Sequence, residues 1–186
     1  MYHEQELQMH TSLANSRFAA FVVFVATGAW LASATDVSAA TSIRNTVTSP
    51  AGACQPFFST TQARYSATGI RNAGNATFYV VCSMNGTWNE NSANGGAVTI
   101  SVVVRNGAAG SQGVNCTARP GYHYGGISLQ AAYPRAATLA PGTSHEFEWT
   151  SAEAGVMFRN PNFTCTLPPG MEITAVRSDY TVDIGN

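Results

Sequence analysis

His145-Glu146-Phe147-Glu148-Trp149-Thr150 decides the class of fold. Apolar and acidic residues alternate with period two, and an extended strand sends such neighbours to opposite faces. Phe147 and Trp149 therefore point into a core, and Glu146 and Glu148 point to water. Thr77-Phe78-Tyr79-Val80-Val81-Cys82 repeats the pattern, with Phe78, Val80 and Cys82 on one face. In Val98–Arg105, Val98, Ile100, Val102 and Val104 share a face. Alternation with one wet face marks antiparallel strands.

Further runs of the same kind lie at Gly113–Ala118, Ile127–Tyr133, Asn162–Leu167 and Glu172–Arg177. Weaker ones are Ala63–Ile70 and Tyr180–Ile184. Between them stand dense turn signals, among them Asn72-Ala73-Gly74-Asn75, Asn106-Gly107, Pro141-Gly142 and Pro168-Pro169-Gly170. No long amphipathic helix follows residue 40. The expected fold is all-β, an antiparallel sandwich, Ig-like or jelly-roll-like, of about eight or nine strands.

Residues 1–39 read as a secretory signal peptide. Arg17 precedes the apolar run Phe18–Leu31, which is shorter than the roughly 20 residues of a bilayer span. Ala32-Ser33-Ala34 and Val37-Ser38-Ala39 both have the small-residue spacing of a cleavage site. Glu4 and Glu6 are out of place in a signal's basic start, and initiation at Met9 would remove both. Residues 40–53 read as a flexible N-terminal segment, and residues 54–186 as the sandwich. The expected location is periplasmic or extracellular, with no membrane association once the signal is cleaved.

Composition narrows the chemistry. The chain has 186 residues, 45% hydrophobic but only 10% charged, with a net charge of −1. All nine basic residues are arginine. The absence of lysine excludes Schiff-base chemistry and a P-loop lysine, and the balanced charge excludes a nucleic-acid surface. Cys54, Cys82, Cys116 and Cys165 all follow the signal, and an even count in an exported chain reads as disulfides. No C-x-x-C pair is present, which argues against a zinc ribbon. Of the three possible pairings, Cys54–Cys82 with Cys116–Cys165 is preferred; it closes loops of about 29 and 50 residues, each contributing roughly 3–4 kcal/mol on the chain-entropy model.

The catalytic inventory is sparse. G-x-S-x-G is missing, and Ser144-His145-Glu146 are sequence neighbours, which is not triad geometry. His123 has no nearby acid. His145 shares a strand face with Phe147 rather than with Glu146, so packing at a strand end is its expected role. No catalytic, cofactor or metal site is assigned. Glu146 and Glu148, about 7 Å apart on one strand face, have a spacing that glycosidase carboxylates also show. Trp88, in the polar loop Met84–Gly96, and Tyr122, His123 and Tyr124, at a glycine-bordered turn, are the candidate ligand-contacting residues. Aromatic rings among Asn and Gly form adaptable binding surfaces, sugar-stacking platforms included.

Around the cysteines the chain resembles an uncharacterised family of small secreted bacterial disulfide-containing β-sandwich proteins. The resemblance rests on Cys54-Gln55-Pro56, Arg64-Tyr65-Ser66, Val80-Val81-Cys82 and Cys165-Thr166-Leu167-Pro168-Pro169-Gly170. It implies export and a sandwich but no activity. A weaker likeness is to chaperone–usher pilus subunits, with Asp179–Ile184 as terminal strand and Ser42–Thr48 as the donated strand. Three roles follow as expectations: a non-enzymatic structural or binding protein at or outside the cell surface, a subunit that self-associates by strand donation, or a protein that binds or cleaves extracellular glycan.

Overall fold

The computed structural model describes residues 41–84, 96–121 and 131–183. In chain order they form β1 (Thr41–Thr48), α1 (Pro50–Ala53), β2 (Cys54–Pro56), β3 (Ala63–Tyr65), β4 (Ile70–Asn72), β5 (Phe78–Ser83) and β6 (Ala97–Asn106). There follow β7 (Gln112–Arg119), β8 (Tyr133–Leu139), β9 (Ser144–Thr150), α2 (Ser151–Ala154), β10 (Asn162–Leu167) and β11 (Met171–Asp183). The strands make two antiparallel sheets, so the fold is a β-sandwich. The first sheet runs β3-β4-β11-β6-β9, with β1 alongside the second half of β11. The second runs β2-β5-β10-β7-β8.

The core forms where the alternating runs place it. Ile100, Val102 and Val104 of β6 and Phe147 and Trp149 of β9 are buried, facing Val80, Val114, Phe163 and Leu167 of the second sheet. β11 departs from strict alternation. Its register against β6 shifts between Ile173 and Ala175, a bulge that lets Ile173 and Val176 both face inward. β11 also runs unbroken through both stretches expected at Glu172–Arg177 and Tyr180–Ile184, as far as Asp183.

Both disulfides lie inside the second sheet. Cys54 stands directly opposite Cys82 in β2–β5, and Cys116 opposite Cys165 in β7–β10, each bonded. The pairing matches that expected from the sequence.

Two segments differ from expectation. Residues 41–48, read as flexible, form β1 and pair with β11 at eight positions. The side chains of β1 explain the misreading: Ile43 and Val47 are 70% and 65% exposed, so the strand is held by main-chain bonds and leaves no apolar pattern. Of the strand expected at Ile127–Tyr133, residues 131–133 are described and only Tyr133 is strand, opening β8, which continues to Leu139. Pro134 disguised it, and a proline is tolerated here because β8 is an edge strand. Residues 127–130 lie outside the described residues.

Two buried asparagines join the sheets. Asn72, ending β4, donates to the carbonyls of Ala76 and Leu167 at 2.8 and 2.7 Å and accepts from the Gly74 N–H at 2.9 Å. Asn106, ending β6, donates to Gly110 and Leu139 at 2.8 and 2.9 Å and accepts from the Ala108 N–H at 2.9 Å. Each side chain thus shapes the turn after its own strand and grips a strand of the opposite sheet. At the β8–β9 side, the Trp149 Nε1–H donates to the Tyr133 carbonyl at 2.8 Å, and the indole lies 5.2 Å from the Phe163 ring.

Trp149→Ala is therefore expected to lose roughly 3–5 kcal/mol. Asn106→Ala, which leaves buried main-chain groups unpaired, is expected to lose at least about 2 kcal/mol. Chemical denaturation measures both; a loss below about 1 kcal/mol in either would contradict the assigned role.

Candidate functional site: an uncharged sheet face

The two sheets present opposite kinds of surface. On the outer side of the first, Arg64, Arg71, Glu172 and Arg105 stand in successive register across β3, β4, β11 and β6. One row further along, Arg177, Ser101 and Glu148 align across β11, β6 and β9. This face is a lattice of charges of both signs.

Glu146 and Glu148 belong to that lattice. Both side chains are exposed on the flat outer face, and the Ser101 hydroxyl donates to Glu146 at 2.5 Å. Arg177 pairs with Asp179 at 2.8 Å, and this hydrogen bond raises the guanidinium pKa, with the charges of Glu146 and Glu148 acting in the same direction. The two glutamates line neither of the clefts described below. His145 packs edge-on against Phe147 with ring centroids 4.6 Å apart, the role expected for it. Among the described residues, no group of three or more His, Cys, Asp or Glu side chains could hold a metal ion.

The outer side of the second sheet is neutral. Its strands carry only two charged residues, Arg119 and Arg135. Arg119 sits at one corner, in register with Asn162. Arg135 is opposite Cys116 and so belongs to the inward side, where its guanidinium lies 5.9 Å from the Trp149 ring centroid. Between them runs one row of Gln55, Val81, Thr164, Thr117 and Pro134. The next row begins with Phe57, whose N–H donates to the Tyr79 carbonyl at 2.8 Å, one position beyond the β2–β5 pairing. It continues through Tyr79 and Thr166 to Asn115, whose N–H donates to the Thr166 hydroxyl at 3.0 Å.

Three aromatic rings are exposed at the β2 end of this face. Phe57 is 59% exposed, Phe58 70% and Tyr79 51%, and the two phenylalanine rings meet edge to face at 4.7 Å. Scattered apolar residues on a surface need no explanation, but a cluster of large rings marks a contact site. The sequence held one sign of it: the alternation of Thr77–Cys82 that sends Val80 inward sends Tyr79 outward. Phe57 and Phe58 lie in no alternating run, so no local signal marks them. Trp88, Tyr122, His123 and Tyr124, the ligand-contacting residues expected from the sequence, lie outside the described residues.

Two clefts flank the sheets. One, of about 250 Å³, lies beside Trp149 and is lined by Tyr133, Arg135 and Glu153. It is bridged by its own network: Arg135 contacts both Glu153 carboxylate oxygens at 2.9 Å, and Thr150 and Glu153 form a reciprocal cap on α2. The Thr150 N–H, followed by Arg135, holds the Glu153 carboxyl below the usual glutamate range. The other cleft, of about 460 Å³, opens between β1 and the β2–β5 edge, with α1 beside it. Every residue lining it is uncharged.

Fold and site together define a class: a disulfide-stapled antiparallel β-sandwich with one charged and one neutral, aromatic-bearing face. Comparison with protein-family models and with curated proteins finds no match. Among solved structures, the chain is similar to an exo-β-1,3-galactanase from Phanerochaete chrysosporium with galactose, at 9% identity and a TM-score of 0.37. That likeness covers 73% of this chain and 29% of the galactanase, so this chain spans under a third of the enzyme. It is also similar to TmCBM61 in complex with β-1,4-galactotriose, at 11% identity and a TM-score of 0.33, over 75% of this chain and 88% of that one.

The cap on α2 gives a pH test. The pKa of Glu153 is lowered in the folded state, so its contribution is full above the unfolded value of about 4.3 and fades as pH falls through the lowered one. The melting temperature of the wild type should exceed that of Glu153→Gln at neutral pH, and the gap should close in acid. A gap that widened in acid would contradict this account.

Proposed function

We propose that the chain is an exported glycan-binding protein whose contact surface is the outer face of the second sheet. One observation carries the reading: Phe57 and Tyr79 stand side by side, exposed, at the head of rows of Thr, Asn and Gln with no charge between them. A pyranose ring has an apolar C–H face that packs on an aromatic ring, and a rim of neutral hydroxyls. Threonine hydroxyls and Asn or Gln amides are donors and acceptors suited to that rim. A nucleic-acid ligand would instead call for a basic surface. Two disulfides fit an oxidising compartment, and export through the N-terminal signal is part of this reading. Its role is binding rather than cleavage, because the exposed carboxylates Glu146 and Glu148 are on the opposite outer face.

Co-sedimentation of the disulfide-bonded protein with insoluble neutral polysaccharides (cellulose, chitin, β-1,3-glucan and galactan) tests the proposal. Retention on at least one is expected. Each aromatic pair contributes about 0.5–1.5 kcal/mol beyond burial, so Phe57→Ala and Tyr79→Ala should each weaken retention by roughly threefold to tenfold. Melting temperatures should hardly move, since both rings are exposed. Retention on none of the four, or undiminished retention of the double variant, would overturn the reading.

A further inference from the structure

The cleft between β1 and the β2–β5 edge adjoins the proposed platform. Gln55 and Val81 line the cleft and also form the row next to Phe57 and Tyr79. A ligand lying on the two rings and following β5 toward Ser83 reaches the cleft directly. Its volume, about 460 Å³, is that of a small-molecule site.

Its lining has a definite chemistry. Thr46 and Thr48 come from β1, Ser178 from β11, Gln55 from β2 and Ser83 from β5. Among the described residues, no hydrogen bond within the protein engages the side chains of Thr48, Gln55, Ser83 or Ser178. Ser178 is only 6% exposed, so its hydroxyl stands deep in the cleft. Val81, Met84 and Ala53 supply apolar wall. The nearest charge on β1 is Arg44, two residues before Thr46 and outside the lining. Neutral donors and acceptors around an apolar patch suit an uncharged polyol and give an anion no countercharge. β1 walls one side and α1 another, so a chain arriving from the platform meets protein on two sides.

We infer that this cleft is a subsite for one neutral sugar residue at the end of a glycan chain whose preceding residues lie on Phe57 and Tyr79. The inference deepens the glycan-binding proposal and rests on it for the identity of the polymer. It accounts for β1, an otherwise weakly packed strand: with α1 it forms the walls of the subsite.

Gly52 gives a clean way to block the cleft. A Cβ built there meets no atom within 4 Å, so a larger side chain enters open space. Isotope-labelled protein is titrated with galactose, glucose, mannose and N-acetylglucosamine, with glucuronate as the charged probe, and amide shifts are followed by NMR. At least one neutral monosaccharide is expected to shift the amides of residues 46–55, 81–84 and 178, and glucuronate to shift them less. Gly52→Phe should abolish the shifts, and Thr48→Val with Ser83→Ala should weaken them without altering the fold. The Phe57→Ala/Tyr79→Ala variant should keep them. If polysaccharide is retained but no monosaccharide shifts these amides, the subsite is refuted and the platform stands. Monosaccharide shifts at the cleft without polysaccharide retention would refute the platform instead. Glucuronate shifts equal to the neutral ones would overturn the assigned ligand class.

Discussion

The register of the second sheet is the constraint on which the rest depends. A slip of one residue in an antiparallel pair turns every side chain to the other face. Here Cys54–Cys82 fixes β2 against β5, and Cys116–Cys165 fixes β10 against β7, each at directly opposed positions on the inner side. With the cysteines held inward, Gln55, Tyr79, Val81, Thr117, Thr164 and Thr166 can only face outward. A face of small neutral side chains has little packing of its own to set register. The covalent links supply what a hydrophobic outer layer would supply elsewhere. The first sheet has no disulfide, and its outer face is instead patterned by charge.

Much of this was legible in the sequence because alternation is a local signal. β9 and β10 appear at the bounds that the alternating runs marked, and Phe147 and Trp149 are buried while Glu146 and Glu148 are not. The disulfide pairing preferred from the sequence is the one the second sheet contains, with Cys82, Cys116 and Cys165 on alternating runs and Cys54 on a strand too short to show one. β1 was not legible, since its stability comes from backbone bonds to β11 and its own side chains face water. The bulge in β11 was hidden for a related reason: Ile173 and Val176 are three residues apart, which a period-two reading assigns to opposite faces. Asn72 and Asn106 were read correctly as turn residues. Their second role, gripping Leu167 and Leu139 across the sandwich, is long-range and leaves no mark in the local sequence.

The candidate site was only partly legible. Aromatic rings in polar loops stand out in a sequence, whereas the rings among the described residues that cluster in the open are on and beside a strand pair. Tyr79 was implicit in the alternation of β5. Phe57 became a partner to it only through the pairing of β2, three residues long and too short to announce itself. The neutral character of this face away from the Arg119 corner is likewise a property of the sheet order. It arises because β2, β5 and β10, none of which carries a charge, are adjacent in space although they are distant in the chain.

The most direct test of the central claim is to map which face is covered on binding. Hydroxyl-radical footprinting of the protein adsorbed on the polysaccharide that retains it reads this residue by residue. Protection of Phe57, Phe58 and Tyr79, with Arg105, Glu146 and Glu148 on the outer face of the first sheet labelled as in the free protein, is the expected result. Protection of Arg105, Glu146 and Glu148 with Phe57, Phe58 and Tyr79 still labelled would place the contact on the charged face and contradict the account.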